Sequence, residues 1–243
     1  MSRGRLSRRD FLAGGGGAAA AALAGASGLR AAEPAPGAVS RVVLVRREDV
    51  LSGDGQPEPE VLRRMLNDAV AALLGAEPAA AWRRLVAPRD VVGIKSNVWR
   101  HLPTPPALEE AIRSEVIAAG VTPENVAVDD RGILENPVFL RATAIINTRP
   151  MRTHHWSGLG TCIKNMIMVV PRPQEYHGDA CASLGAIWRL PAVEGKVRLN
   201  VLVMLTPQFH GVGPHSFSRD FVWPYGGLIV GVDPVAVDAT GAR

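Results

Sequence analysis

Chemistry-bearing side chains crowd into one stretch of this chain, Thr153-His154-His155-Trp156-Ser157-Gly158-Leu159-Gly160-Thr161-Cys162-Ile163-Lys164-Asn165-Met166. Histidine titrates near neutrality, so the pair can shuttle protons or ligate a metal. Ser157 to Thr161 reads as a turn whose backbone N–H groups open a helix, a nest for a carboxylate or phosphate. Lys164 near the first turn of that helix, with Thr161 and Asn165, would then contact the anion. The stretch lacks G-x-x-x-x-G-K-[ST], which argues against nucleoside triphosphates. Neighbours on an extended chain point to opposite sides, so one histidine of the pair enters the site, and His154 is the choice. His177 and His210 are its distant partners. These three histidines, with Asp129 or Asp233, would suit a divalent metal such as nickel, zinc or iron. No compact H-x-x-x-H spacing, Ser-His-Asp order or G-x-S-x-G elbow accompanies them.

The other polar groups share a position rather than a motif. Lys95 and Asn97, Asp129 and Asp130, Arg149 to His155 (including Arg152), Thr206 to His210, and Asp233 each follow a short apolar run. In a parallel sheet the carboxyl ends of the strands lie along one edge, where ligands bind. The six segments are therefore expected to meet in one crevice. There Asp129 would be a general base and Asp130 a turn former. Asp233 would contact the ligand and also cap a helix with Pro234 at its first position.

The elements that must position these groups follow from hydrophobic period. Strands are expected at Val42 to Val45, Val91 to Ile94, Val126 to Val128, Ala144 to Ile146, Arg198 to Leu205 and Leu228 to Val232. From Pro59 to Leu74 the apolar residues Val61, Leu62, Met65, Leu66, Ala69, Val70, Leu73 and Leu74 form a helical stripe closed by Gly75. Further helices are expected over Ala79 to Val86, Thr104 to Ala119, residues 178–190, and from Pro234 onward. Strands alternating with helices predict an α/β fold: a single domain with a largely parallel sheet covered by helices on both faces.

The chain has 243 residues, 47% of them hydrophobic and 21% charged, a globular composition. Its net charge of +4 invites a nucleic-acid reading. Residues 1–26 hold Arg3, Arg5, Arg8 and Arg9 against Asp10, a net of +3, which leaves +1 for the rest. No basic face follows, and no nucleic-acid partner is expected. Ser7-Arg8-Arg9-Asp10-Phe11-Leu12 before an Ala/Gly-rich, weakly apolar run is a twin-arginine export signal. The expected division is residues 1–32 as signal, 33–40 as linker and 41–243 as the α/β domain, truncated at its C-terminus. The translocase would be a transient partner and the periplasm or another extracytoplasmic space the destination. No stretch suits a permanent membrane span. Cys162 and Cys181 are the two cysteines, too few for an ordinary iron–sulfur cluster. They read as one disulfide or as two small buried residues.

Several segments together resemble the family called "domain of unknown function 362". They are Val91 to Asn97, Arg152-Thr153-His154, Gly160-Thr161-Cys162-Ile163-Lys164-Asn165, His210-Gly211-Val212-Gly213-Pro214 and Asp233-Pro234-Val235-Ala236-Val237-Asp238. The resemblance runs from about residue 41 to the end. Where this chain has Arg152 and Ser96, the family usually has lysine and proline, and arginine keeps the charge without the proton chemistry. The resemblance implies no settled reaction. Some members carry ferredoxin-like cysteine clusters, which suggests redox or iron–sulfur association. A distant similarity to nickel-dependent lactate racemases points to histidine–metal or lysine-assisted chemistry on hydroxy acids. The reading that follows is an exported, metal- or cofactor-dependent enzyme for a small anionic substrate. Lys95, Lys164 and Arg152 would hold the anion, His154 and His210 would ligate or shuttle protons, and Asp129 or Asp233 would assist. The alternative is a non-catalytic anion- or cofactor-binding accessory of a redox system.

Overall fold

Helix boundaries in this chain are set by prolines that start helices and glycines that stop them. The clearest case is α1 (Pro59–Leu74), with Pro59 at its first position and Gly75 closing it at φ 61° in the left-handed region. Its bounds are those read from the hydrophobic stripe. In a computed structural model that describes residues 39–211 and 216–243, α1 follows β1 (Val42–Arg46). Then come α2 (Pro78–Leu85), β2 (Val92–Lys95), α3 (Pro106–Ala118), β3 (Val126–Asp129), α4 (Pro137–Leu140), β4 (Ala144–Pro150), β5 (Arg152–His154) and β6 (Gly158–Gly160). The order ends with α5 (Cys162–Asn165), α6 (Gly178–Cys181), α7 (Leu184–Ile187), β7 (Val197–Met204), β8 (Gly227–Gly231) and α8 (Pro234–Gly241). The export signal, most of the linker, and Val212, Gly213, Pro214 and His215 lie outside the described residues.

Six strands form one sheet in the order β1-β8-β7-β4-β2-β3. β7, β4, β2 and β3 are mutually parallel, whereas β8 runs antiparallel to both β7 and β1. The carboxyl ends of β1, β7, β4, β2 and β3 therefore share one edge, and the carboxyl end of β8 lies at the opposite one. That single reversal removes Asp233 from the crevice expected for it.

Alternation along the strands divides the core. Leu199, Val201 and Val203 join Val92, Ile94 and Ile146 in one continuous core with Leu62, Leu66, Trp82 and Ile112 of α1 to α3. Leu202, Met204 and Ile229 pack on the other face against Cys162 and Val237. A third cluster gathers Ile145, Met166, Cys181, Leu184 and Ile187 beneath residues 166–193. Trp82 is fully buried and its indole N–H donates to Asn67 Oδ1 at 2.7 Å, which satisfies the one polar atom it brings inside.

Two expected elements differ. The helix expected over residues 178–190 is two single turns, because Asp179, Ala180 and Cys181 take left-handed φ values of 47°, 52° and 65° that no right-handed helix tolerates. The nest expected at Ser157 to Thr161 is instead one arm of a hairpin, with Arg152 opposite Gly160 and His154 opposite Gly158. The strand read at Ile145-Ile146 also continues to Pro150 and is buried throughout.

Leu66 is fully buried in the shared core. Leu66→Ala is expected to cost about 3 kcal/mol, read as a lower urea midpoint at unchanged slope. A loss below about 1 kcal/mol would mean that α1 contributes little to the core.

Candidate functional site

A polar row crosses the middle of the sheet. In register, Asp129, Lys95, Asn147 and Asn200 stand side by side on β3, β2, β4 and β7. Lys95, Asn147 and Asn200 are fully buried, so each must find partners. Asn147 Nδ2 donates to Asn200 Oδ1 and to the carbonyl of Cys162, both at 2.9 Å. Asn200 Nδ2 donates to the carbonyl of Val232 at 3.1 Å.

Asn165 closes this row from above. Its Nδ2 donates to Asn147 Oδ1 at 2.8 Å, Thr148 O at 3.0 Å and Lys95 O at 3.2 Å. Its Oδ1 accepts from Lys95 Nζ and Asn97 Nδ2, both at 3.3 Å. Lys95 Nζ also donates to Asp130 Oδ1 at 2.5 Å and Ser96 O at 2.7 Å. Asp130 Oδ2 accepts from the Val98 amide. Burial pushes the Lys95 pKa down and Asp130 opposes it. We take Lys95 as an ammonium, since neutralising it would strand the buried Asp130 carboxylate.

Asp129, expected as a general base, is instead the turn former. Asp129 accepts from the amides of Asp130 and Gly132 and from Asn136 Nδ2. Those three donors tie it into the turn after β3, leaving Asp130 as the buried charge.

What holds α5 against this row is a carboxylate from the far end of the chain. Asp238 accepts from Thr161 Oγ1 at 2.6 Å and from the amides of Cys162 and Ile163 at 2.8 and 2.9 Å. The first turn of a helix presents unpaired N–H groups, and here the protein fills them itself. The anion nest expected at Thr161 is therefore already occupied, and Thr161 serves Asp238 rather than a ligand.

Above the row lies a cavity of about 180 Å³ lined by Asn97, Trp99, Asp130, Arg131, Arg149, Arg152, His154, Lys164, Asn165, Ile167, Met168, Pro173 and His177. Four of these are cationic and one is a carboxylate already paired to Lys95. Arg149 is 2% exposed, and among the described residues its Nε and Nη2 have no hydrogen-bond partner. Its Nη1 donates weakly to Thr161 O at 3.5 Å. Gly160 permits this placement, since a Cβ there would stand 3.0 Å from Arg149 Nη2. Arg152 Nε is likewise buried without a partner, and its guanidinium lies 4.0 Å over the Trp99 ring, a cation–π contact.

Crowding of like charge in a buried place disfavours protonation. Burial pushes the Arg149 pKa down to about 10, with Asp130 opposing. Burial and then Arg149 push Arg152 to about 9. Burial also takes Lys164 to about 8, with Arg149 and Arg152 adding to the shift. His154 falls to about 3 through burial, then Lys164 and Arg152. Its Nδ1 accepts from the amides of Trp156 and Ser157 at 3.2 and 3.4 Å, which places the ring proton on Nε2. The His154 ring stacks on His155 at 5.0 Å and on His177 at 5.9 Å. His154 and His155 do not face opposite sides as expected, because the extended chain ends at His154 and turns.

Of the residues singled out in the sequence, Asn97, Arg152, His154, Lys164, Asn165 and His177 line the cavity, and Lys95 lies beneath it. Asp129 and Thr161 are committed to a turn and a helix start. His210 is exposed, its ring edge-on to Phe221 at 4.8 Å, and it does not line the cavity. Asp233 caps α8 by accepting from the amides of Val235 and Ala236, takes a hydrogen bond from Ser40 Oγ at 2.6 Å, and sits at the other sheet edge. The three-histidine set is therefore not brought together. Among the described residues no group of three or more His, Cys, Asp or Glu side chains is placed to hold a metal ion. Cys162 and Cys181 are buried free thiols rather than a disulfide. Arg149 and Asp130 were expected in the crevice but without a ligand-binding role, and Asp238 was not expected there. The available signal was a charged residue inside a strand, Arg149 two residues beyond Asn147 on the same face of β4.

Asp238→Ala would leave three donors without their carboxylate, at an expected cost of about 2–4 kcal/mol. Urea denaturation checks this, and an unchanged midpoint would remove Asp238 as the anchor of α5. A second expectation concerns pH. Between about pH 8 and its ordinary value of 10.5, Lys164 holds fewer protons in the fold than in the unfolded chain. Arg152 behaves the same way above about 9. Stability rises with pH wherever the unfolded state binds more protons. The ligand-free chain should therefore become more resistant to urea from pH 8 to pH 10, and a falling midpoint over that window would contradict the assignment.

Comparison with curated proteins finds no match, and comparison with solved structures finds none either. Residues 132–243, from the turn after β3 to the end of the chain, match the model of the family described as Domain of unknown function (DUF362), and that match supports membership in it.

Proposed function

We propose that this chain binds a small anionic molecule in the cavity at the carboxyl edge of the sheet, with Arg149, Arg152 and Lys164 as its cationic wall. The observation that carries the reading is the set of buried guanidinium N–H groups without hydrogen-bond partners among the described residues, Arg149 Nε and Nη2 and Arg152 Nε. A buried charge left unpaired costs several kcal/mol, about 3–5 when one partner of a pair is removed. An anion in the cavity would supply the missing countercharge. The cavity, about 180 Å³, is smaller than the roughly 300–1,000 Å³ typical of sites for drug-sized ligands. A compact acid of a few carbons, or phosphate, suits it.

The donor set favours such an anion over a bare divalent cation. His154 Nδ1 is already accepting two amides, and the four cationic side chains that line the same cavity would repel a metal ion. His154 stays a neutral imidazole at physiological pH, so it donates from Nε2 rather than cycling through an imidazolium. We further propose that the protein is exported by the twin-arginine route, on the strength of Arg8-Arg9 and the weakly apolar run that follows.

Titration calorimetry with oxalate and with phosphate tests the first proposal. Binding of at least one is expected, weakening as pH rises through about 8 while Lys164 loses its proton. Arg152→Met should reduce the affinity at least about tenfold yet leave the melting temperature equal or higher, because it removes an uncompensated buried charge. Absence of binding at millimolar concentration, or a variant that binds as well as the parent, would refute the reading. For export, the double substitution R8K/R9K should hold the chain in the cytoplasm of a host with an active twin-arginine system. Equal periplasmic recovery of both forms would end that proposal.

A further inference from the structure

The site holds two buried lysines in unlike surroundings. Lys95 Nζ is pinned by Asp130, Ser96 O and Asn165. Lys164, 4% exposed and lining the cavity, has only a thiol beside its Nζ among the described residues, Cys181 Sγ at 3.8 Å. A thiol is a weak acceptor and gives no countercharge.

Composition sharpens the contrast. Of 27 basic residues, 24 are arginine and only Lys95, Lys164 and Lys196 are lysine. For holding an anion arginine is the better group, and the cavity already has Arg149 and Arg152 on its wall. What lysine offers and arginine does not is a neutral amine with a lone pair. Burying that amine beside two guanidinium groups makes it less basic, the device by which a lysine becomes a nucleophile.

We propose that Lys164 is a catalytic nucleophile that forms an imine with the carbonyl carbon of a small oxo acid whose carboxylate is held by Arg149 and Arg152. The proposal rests on the anion-binding reading and extends it to a substrate class and a reaction. Nζ attacks the carbonyl carbon and a C–N bond forms. The carbonyl oxygen then leaves as water with the two hydrogens of the amine, and no oxidant or reductant is consumed. The pKa of Lys164 near 8 leaves a usable fraction of free amine at neutral pH.

The test is reductive trapping on the full chain. Glyoxylate with cyanoborohydride should add one carboxymethyl group, which peptide mass mapping places on Lys164. Lys196 and the N-terminal amine serve as internal controls. Acetaldehyde, which has the carbonyl but no carboxylate, should label Lys164 at least tenfold more slowly, and oxalate should protect it. Labelling should rise as pH increases through about 8. Lys164→Arg should abolish the adduct. Because the adduct is mapped in the wild-type chain, a variant that fails to fold leaves the test intact. Oxalate binding with no adduct at Lys164, or with labelling no faster than at Lys196, would overturn the imine while leaving the anion site standing. Equal labelling of Lys164 by acetaldehyde and glyoxylate, with no oxalate protection, would overturn both.

Discussion

The carboxylate of Asp238 organises more of this molecule than any other single group. It reaches from the last helix to the start of α5 and accepts three hydrogen bonds there. Asn165, at the other end of that four-residue helix, then lies over the sheet and binds β2 and β4 through their backbone and side chains. Lys164 is carried to the cavity by the same turn. A helix this short has little stability of its own. Its position depends on a charged cap at one end and an amide hub at the other. Burial raises the pKa of Asp238, while its donors and Arg149 oppose that shift.

The second constraint is charge balance. Burying ions is tolerated when each has a counterion, and Lys95 with Asp130 meets that condition. Arg149, Arg152 and Lys164 do not meet it among the described residues. They depress one another's basicity and hold His154 neutral. A fold that keeps three such groups around one cavity gives up stability in the ligand-free state, a common cost of functional sites. Partners rather than basicity separate the two lysines: Lys95 is ion-paired to Asp130, and Lys164 has a thiol beside it.

Much of the scaffold was legible in the residues themselves. Period and punctuation located α1 to the residue, and the apolar runs marked all six strands of the main sheet, because burial of one face leaves a pattern that any sequence shows. The site was legible in part. Lys95, Asn97, Arg152, His154, Lys164 and His177 come together because parallel strands deliver their following loops to one edge. His210 and Asp233 do not belong to that group. Asp233 was misplaced because local pattern does not reveal strand direction, and β8 is antiparallel. Arg149 was placed in the segment after the strand, whereas a strand that looked two or three residues long continues for seven and includes it. The break at Asp179 to Cys181 was also invisible, since nothing in those residue types demands left-handed backbone.

By itself the sequence determined the period of each element, the places where helices begin and end, and the inventory of acids, bases and amides. These are local consequences of side-chain shape and of proline and glycine geometry. Only the tertiary structure decided which of two adjacent aspartates carries the buried charge, and that the helix nest is filled by Asp238 rather than by a ligand. It also decided that Arg149 and Arg152 bury guanidinium N–H groups that have no hydrogen-bond partner among the described residues. Those outcomes depend on distance and solvent exclusion between residues up to 77 positions apart. Electrostatic and hydrogen-bond energies are functions of separation in space, and separation along the chain does not fix it.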